Sequence, residues 1–491
     1  MCSVDPDEVI EMTQATEVLD ISRGGVLCRK CEEAVAEVVL RVKDAYCRNC
    51  FLAYFTHKFR STIGKSKQIH PGDRVLVGLS GGTSSTALLH LIHEGLQENS
   101  HKKLRFNPAF LYIDESVLCT ATDGSSDHTQ RVLRQVASLG FPCYVAALEQ
   151  VMALQPQPPL LVPQEYKEMK YAVDENLKTK IHELFASCKS ASAQQDLHDQ
   201  LLQTVLRQCS QSLGFRKVFL GDNSTTLSIR ILSQVALGRG SQLPKRVHFK
   251  AVSQNIEVYR PMREILQDEV LHYLRLQDIT VPRLPAFRTK GSNITACTEE
   301  FVQGLQKEFP ATIPTIFRTG DKLVAVKVQG NKRHSNNGYL HEDDDFCALC
   351  ASKLDTDKGE ASALHATIIS QKYSSKKPLK TSHDNEDEVK DDMSVQEACK
   401  EITNGEISSD PGGGACWCAG AGGGCDKTVK SNLKDQDLRS AQTLELYLCY
   451  GCRVTVRDLK HTDVLPAWVQ TEVVEQEQRR VMREQIQDFL L

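Results

Sequence analysis

The 491-residue sequence has no long hydrophobic run and few aromatic residues, which make up 6% of it with two tryptophans. No apolar stretch approaches the roughly eighteen residues that a membrane-spanning helix needs. The sequence therefore predicts no such helix. The chain also lacks an excess of positive charge, since its formal net charge is -4. Any nucleic acid must be held by local basic patches and not by the overall charge.

A targeting signal is missing from the first residues as well. The stretch "MCSVDPDEVIEM" is acidic, the opposite of a signal or transit peptide. The composition, 41% hydrophobic and 25% charged residues, is typical of a soluble globular protein. We therefore expect a cytoplasmic protein with two to four folded units and no membrane partner.

The chain is rich in cysteine, with 18 such residues. In the cytosol thiols stay reduced, so disulfides do not explain this number. Four cysteines near the N-terminus follow the pattern C-x2-C-x15-C-x2-C, which is the spacing of a four-thiolate zinc site. The alternative is a set of unpaired surface thiols. The predicted zinc ligands are Cys28, Cys31, Cys47 and Cys50.

Two further Cys-x-x-Cys pairs lie about a hundred residues apart. The segment between them, roughly 353–440, is rich in Lys, Asp, Glu, Ser and Gly, a composition that predicts disorder. Loop closure entropy grows only logarithmically with length, so a second zinc site can close across such an insertion. Cys416, Cys418 and Cys425 are rival ligands, or accidental cysteines of low-complexity sequence. The predicted ligands are Cys347, Cys350, Cys449 and Cys452.

The middle of the chain alternates strand-like and helix-like segments. "DRVLVGLS" (73–80) and "FNPAFLYID" (106–114) read as strands, and the helical spacing of "SSTALLHLIHEGL" (84–96) lies between them. This alternation predicts an α/β fold, a mostly parallel sheet with helices on both faces. Ligands of such folds lie at the carboxyl ends of the strands, where we place Ser80, Asp114 and Asp222.

The stretch "VLVGLSGGTSST" (75–86) changes from an apolar strand through a Gly-Gly turn to a helix of small residues. It lacks the Gly-Lys-Thr of a Walker loop and the third glycine of a dinucleotide fingerprint. Two glycines, several hydroxyls and the free amides of the helix can nevertheless bind a phosphate. The alternative is a tight turn with serine capping. The candidate loop residues are Ser80, Gly81, Gly82, Ser84, Ser85 and Thr86.

A strand ending in Ser-Gly-Gly and flanked by Cys-x-x-Cys modules resembles the pyrophosphate-loop ATPases that thiolate tRNA uridines. The resemblance implies a nucleotide-binding α/β fold with zinc modules. It also implies a complex in which this chain pairs with a catalytic relative to make 2-thiouridine at the wobble position. The sulfur would come from a ubiquitin-like thiocarboxylate carrier.

The departures from that family's active pattern indicate a subunit without catalytic residues of its own. Ser84 stands where the family's loop carries an aspartate that could organise magnesium, which puts ATP binding in doubt. The segment "KVFLGDN" (217–223) reads as the fourth strand of the domain. It leads into "GDNSTT" (221–226), where active members tend to have Gly-His-Asn-x-Asp-Asp. In the region of the family's sulfur-transfer cysteines it has Cys188 alone.

Basic residues are concentrated in three segments where a nucleic acid could reach. Such clusters can hold phosphates with little base readout, although solvated surface charge is the alternative for each. The third segment, within 260–290, contributes Arg260, Arg263, Arg288 and Lys290. The main candidates for contact with tRNA are Lys58, Arg60, Lys65 and Lys67 in the first segment (57–70) and Arg239, Lys245, Arg246 and Lys250 in the second (237–250).

The sequence therefore predicts a noncatalytic subunit of a tRNA-thiolation complex. A competent ATP-dependent thiolase and a zinc-stabilised scaffold outside tRNA modification are the alternatives. The predicted domains are a flexible N-terminus (1–24), a zinc module with a basic linker (25–68), the α/β domain (69–340), the first half of a C-terminal cysteine module (341–352), the disordered insertion (353–440), and the second half with a terminal helix (441–491).

Overall fold

A computed structural model describes the parts of the chain that carry the predicted sheet and both cysteine modules. The described residues are 25–40, 43–97, 103–119, 125–155, 157–163, 174–282, 287, 289, 291–323, 346–354 and 444–489. Most of the predicted insertion, with Cys416, Cys418 and Cys425, lies outside them, as do Arg288 and Lys290.

Two β-strands form a small N-terminal hairpin and the others form one sheet. The strands are β1 (Val38–Leu40), β2 (Asp44–Tyr46), β3 (Arg74–Leu79), β4 (Asn107–Asp114), β5 (Cys143–Ala147), β6 (Leu160–Val162), β7 (Lys217–Phe219), β8 (Lys250–Ser253) and β9 (Ile256–Tyr259).

The helices in the first half of the described chain are α1 (Arg48–Ser66), α2 (Thr83–Leu96), α3 (Ser125–Ser138), α4 (Glu175–Ser187), α5 (Ala191–Ser212) and α6 (Ser224–Ala236). Those that follow are α7 (Leu243–Val247), α8 (Gln267–Leu276), α9 (Ile294–Glu308), α10 (Thr312–Asp321), α11 (Tyr450–Arg457) and α12 (Ala467–Phe489).

The large sheet has seven strands in the order β6-β5-β4-β3-β7-β9-β8. The pairings from β5 to β9 through β4, β3 and β7 are parallel, and β6 and β8 add antiparallel edges. In the central register Leu76 lies opposite Ala109 and Val77 opposite Phe110. The mostly parallel sheet predicted from the sequence is confirmed.

Both faces of the sheet are covered, because alternate residues of the central strands enter two different cores. Leu76 and Leu111 point into one core, which also contains buried residues of α4, α5 and the C-terminal cysteine module. Val77 and Phe110 point into the other core, with buried residues of α1, α2 and α8. The near-continuous apolar strands follow from this double burial.

The N-terminal cysteine module is joined to the sheet by α1. Phe51, Phe55 and Phe59 recur every four residues, so they share one face of the helix, and all three are fully buried in the second core. Phe55 stacks on Tyr273 of α8 with ring centroids 4.5 Å apart. The module is thereby held against the α/β domain through a continuous hydrophobic contact.

At the other end of the chain, Val469 and Val473 of α12 are buried in the first core, whereas Val474 and Met482 are exposed. The first turns of α12 therefore pack within the chain. No helix in the described residues is long and apolar enough to cross a membrane.

Candidate metal centres and nucleotide loop

The four N-terminal cysteines converge on one point. Their sulfur atoms all lie within 4.8 Å of one another, and the Sγ atoms of Cys31 and Cys47 are 3.9 Å apart. Four thiolates at about 2.3 Å around one tetrahedral ion stand about 3.8 Å apart, so the spacing fits a single metal ion. Cys47 is the N-cap of α1 and Cys50 lies in its first turn, where the helix dipole favours negative ligands.

The surroundings of the N-terminal cysteines shift the pKa values of their thiols in opposite directions. Burial opposes ionisation of Cys28, but backbone N–H groups of Cys47, Cys31 and Lys30 lower the pKa of its thiol to about 6. Burial and the neighbouring sulfurs instead raise the pKa of Cys50 to about 12. Four thiolates this close repel each other, and a bound cation removes that repulsion.

The C-terminal cysteines converge in the same way, although about a hundred residues separate their two pairs. Their sulfurs also lie within 4.8 Å of one another, with the Sγ atoms of Cys350 and Cys449 3.7 Å apart. The N–H of Ala348 donates to the carbonyl of Tyr447 at 2.8 Å, which joins the two segments beside the sulfurs. The predicted closure across the insertion is therefore observed, and each of the two clusters could hold a metal ion.

The two centres use one local design. In each, the first pair lies on a turn whose fifth residue has a left-handed backbone, Glu32 (φ 59°) and Ala351 (φ 52°). In each, the second pair begins at a helix N-cap, Cys47 for α1 and Cys449 for α11. A turn and a helix start therefore approach the metal position from two sides in both modules.

A buried arginine distinguishes the C-terminal centre. Arg239 is 0% exposed, and its guanidinium donates to the Sγ atoms of Cys452 (3.4 Å) and Cys449 (3.7 Å). It also pairs with Asp196 of α5, which accepts a second hydrogen bond from Thr455 at 2.6 Å. One cation thus faces both the cysteine cluster and a buried carboxylate, and it offsets part of their negative charge.

The candidate nucleotide loop follows β3 as predicted. Gly81 has φ 71°, a left-handed backbone that favours glycine, and α2 begins at Thr83. A Cβ on Gly221, at the end of β7, would lie 3.2 Å from the backbone of Ser85. The loop therefore packs tightly against the neighbouring strand end.

The polar groups of this loop bond to one another and to side chains from other elements. Asn223 Nδ2 donates to Ser84 Oγ at 2.8 Å and to Gln267 Oε1 at 2.6 Å. Gln267 Nε2 donates to Thr83 Oγ1 at 2.9 Å, and Ser80 Oγ lies 3.2 Å from Ser85 Oγ. The side chain of Gln267, from the start of α8, thus engages hydroxyl groups of the first turn of α2.

Asp222 and Asp114, the two carboxylates at strand ends, are also turned toward the protein interior. Despite the opposing effect of burial, Arg230 and Arg260 lower the pKa of Asp222 to about 2, and both guanidinium groups bond to it at 2.8–3.0 Å. Asp114 is buried, and burial raises its pKa. Neither residue presents a free carboxylate for a metal–nucleotide complex. Arg263, from the same basic segment as Arg260, is buried against Phe317.

The first basic segment is divided between structural and exposed residues. Lys58 pairs with the buried carboxylate of Glu269 at 2.8 Å and is 17% exposed. Arg60 is 15% exposed and faces a carboxylate of α2 at 3.8 Å. Lys65 and Lys67 at the end of α1 are exposed.

The second basic segment is mostly internal. Arg239 and Arg246 are buried, and Arg246 donates to Gln200 at 2.8 Å, which leaves neither of them access to an RNA backbone. Lys245 is half-buried over an aromatic ring 5.7 Å away. Lys250 pairs with a carboxylate of β9. Nothing in the residue types distinguishes these arginines from surface ones, because their buried partners are distant in sequence.

The remaining cysteines do not form a third cluster among the described residues. Cys188 is 7% exposed, its thiol donates to the carbonyl of Leu184 at 3.6 Å, and burial raises its pKa to about 11. Burial likewise raises the pKa values of Cys143 and Cys209 to about 12. Cys119 is half-buried and Cys297 is exposed.

One ionic site was not predicted from the sequence. His198 of α5 is buried, lies 2.7 Å from Glu115 at the end of β4, and stacks on Phe287 at 4.5 Å. Burial disfavours its charge, but the neighbouring carboxylates of Asp199, 3.7 Å from Nδ1, and Glu115 raise its pKa to about 9. A single histidine 83 residues from its carboxylate partner carries no signal in the sequence.

The chain is similar in sequence to proteins of one family. A family model described as "Cytoplasmic tRNA 2-thiolation protein 2" matches residues 293–454. "Cytoplasmic tRNA 2-thiolation protein 2-A" of Xenopus laevis is 34% identical over 98% of this chain and 98% of its own length. "Cytoplasmic tRNA 2-thiolation protein 2" of Homo sapiens is 29% identical over 94% and 93%. The structure also has a looser likeness to the U34-tRNA thiolase NcsA from Methanococcus maripaludis with its 4Fe-4S cluster. The TM-score is 0.46 at 15% identity, and the match covers 68% of this chain and 94% of the other.

Proposed function

Because the chain belongs to the cytoplasmic tRNA 2-thiolation protein 2 family, we propose that it is a noncatalytic subunit of the complex that thiolates the wobble uridine, position 34, of cytosolic tRNAs. Its role in tRNA 2-thiolation and its cytoplasmic location agree with the sequence predictions. The product would be a 5-substituted 2-thiouridine.

The observation that most supports a noncatalytic role is that the hydroxyl groups of the loop are bonded to other side chains of the protein. Anion binding needs free amides and hydroxyls at the start of α2. In this chain Asn223 and Gln267 bond to Ser84 and Thr83 there. No acidic residue lies in the first turn of the helix. ATP is therefore expected to bind weakly or not at all, and chemistry would reside in a partner.

Zinc is the metal that we propose for both centres. Four thiolates around one tetrahedral ion are typical of structural zinc. A four-iron cluster binds each thiolate through a different iron, so its ligands must stand further apart than the 3.7 Å and 3.9 Å observed here. The ion would hold the turn and the helix start together in each module and would supply no reaction step.

The proposed partners are a catalytic subunit of the same fold, tRNA, and a ubiquitin-like sulfur carrier. The burial of the one cysteine in the family's sulfur-transfer region supports this division of labour. Cys188, the one cysteine in the family's sulfur-transfer region, is buried and its pKa is raised, so it is a poor nucleophile. Sulfur would then pass through the partner subunit.

The test is mass spectrometry of tRNA nucleosides from cells depleted of this chain. Rescue uses the wild type, Cys188→Ser and Ser80→Ala, each checked for folding by thermal melting. We expect 2-thiouridine to disappear and all three forms to restore it. Failure of a folded Ser80→Ala or Cys188→Ser variant would favour the active thiolase. Unchanged 2-thiouridine on depletion would contradict any role in thiolation and leave the scaffold alternative.

A further inference from the structure

A groove of about 1360 Å³ opens at the edge of the sheet opposite the nucleotide loop. Its walls are the N-terminal metal module, α1, and the loops 69–71 before β3 and 103–106 before β4. Since β3 and β4 are parallel, their amino ends share one edge, and Ser80 lies at the other. Six strand residues at about 3.3 Å each put the groove roughly 20 Å from the loop. It is therefore a separate site.

The groove is strongly basic. Lys30, Lys65, Lys103 and Arg105 line it, all four are exposed, and none pairs with a carboxylate among the described residues. Of the described residues that line the groove, Glu94 alone is acidic, and it faces an arginine of α1 at 3.8 Å. Unpaired cations around one concave surface concentrate positive potential there and favour an anionic ligand.

The metal centre contributes directly to this surface. Arg29 and Lys30 are the two residues between Cys28 and Cys31, and both line the groove. Arg29 also pairs with Asp44 of β2, whereas Lys30 does not pair with a described carboxylate. A metal ion bound by the two cysteines would fix the turn that presents Lys30. Beside them Tyr46 and Tyr54 stack on each other with centroids 5.8 Å apart, and both line the groove as well.

We propose that this groove binds the backbone of tRNA, an inference that rests on the proposed function. Its volume exceeds the roughly 300–1,000 Å³ of small-molecule pockets, which indicates an extended ligand. An acidic peptide would also suit the charge, but the stacked tyrosines offer a surface for a nucleobase, which favours RNA. The subunit would then hold tRNA by the face that lies away from its own nucleotide loop.

The experiment measures binding of an unmodified tRNA transcript to the full-length chain at several salt concentrations. The test variant carries Lys65→Glu, Lys103→Glu and Arg105→Glu. The matched control carries Lys307→Glu, Arg318→Glu and Lys322→Glu, which makes the same charge change at exposed residues of α9, α10 and the residue after it. We expect the test variant to bind at least about tenfold more weakly, with the slope of log affinity against log salt reduced by about 2.

Equal affinity of the test variant and the wild type, or equal losses in both variants, would overturn the proposal. The proposal would also be overturned if the test variant lost binding to a poly-glutamate peptide but bound tRNA as the wild type does. That result would identify an acidic protein segment as the ligand. The depletion experiment distinguishes failure of the proposed function from failure of the tRNA-binding groove. If the groove binds tRNA while depletion leaves 2-thiouridine unchanged, the proposed function fails and the RNA site stands.

Discussion

Replacing Arg239 by methionine tests how the C-terminal metal centre is built into the α/β domain. The arginine is completely buried and faces the sulfurs of Cys449 and Cys452 and the carboxylate of Asp196. Methionine keeps much of the buried volume but removes the charge. It leaves a buried carboxylate and a thiolate cluster without their shared cation.

The expected cost follows from that loss. Removing one partner of a buried ion pair costs about 3–5 kcal/mol, because the other charge stays buried and unpaired. Arg457→Met is the matched control on the same module. Its pair with Glu445 is exposed, 60% for the arginine, and surface pairs are worth about 0–1 kcal/mol. Arg239→Lys keeps the charge but loses the planar fork, so we expect an intermediate loss.

The variants are compared in two assays. Urea unfolding gives the free energy, and transfer of metal to a colorimetric chelator gives the affinity of each centre. For Arg239→Met we expect one metal ion per chain to bind about 10–100-fold more weakly, as for other residues that contact metal ligands. Equal unfolding free energies and equal metal affinities for Arg239→Met and Arg457→Met would refute the proposed charge balance.

The N-terminal metal centre, the glycine behind the loop and the buried histidine can each be tested by one substitution. Cys31→Ser should lower the metal content from two ions per chain to one by elemental analysis, and unchanged content would argue against the N-terminal centre. Gly221→Ala should destabilise the chain by about 1–3 kcal/mol in urea because its Cβ would press on the loop backbone, whereas Gly64→Ala, with open space around it, should not. His198 has its pKa raised to about 9, so its charge stabilises the fold below pH 6.5, and this contribution is lost as the pH rises through 9. The unfolding free energy should therefore fall by up to about 3 kcal/mol between these limits, and His198→Gln should show a smaller fall.

Local patterns in the sequence were enough to predict the sheet and both cysteine centres. Apolar runs bounded by Gly and Asp indicated β3 and β4, because parallel strands are buried on both faces. The spacing of the cysteines indicated where a metal could bind, because each Cys-x-x-Cys pair forms half a site by itself. The loop after β3 was also found, since a Gly-Gly turn between a strand and a helix is a local signal.

The sequence by itself determined the fold class, the position of the loop and the four Cys-x-x-Cys pairs, each of which depends on residues close together in the chain. Tertiary structure decided which polar side chains remain free. Gln267 contacts the loop from 184 residues away, and Arg239 lies beside the C-terminal cysteines instead of on the surface. The basic groove is likewise assembled from the metal module, α1 and two loops that only folding brings together. Burial and pairing of a charge are set by such distant contacts, and no local pattern encodes them.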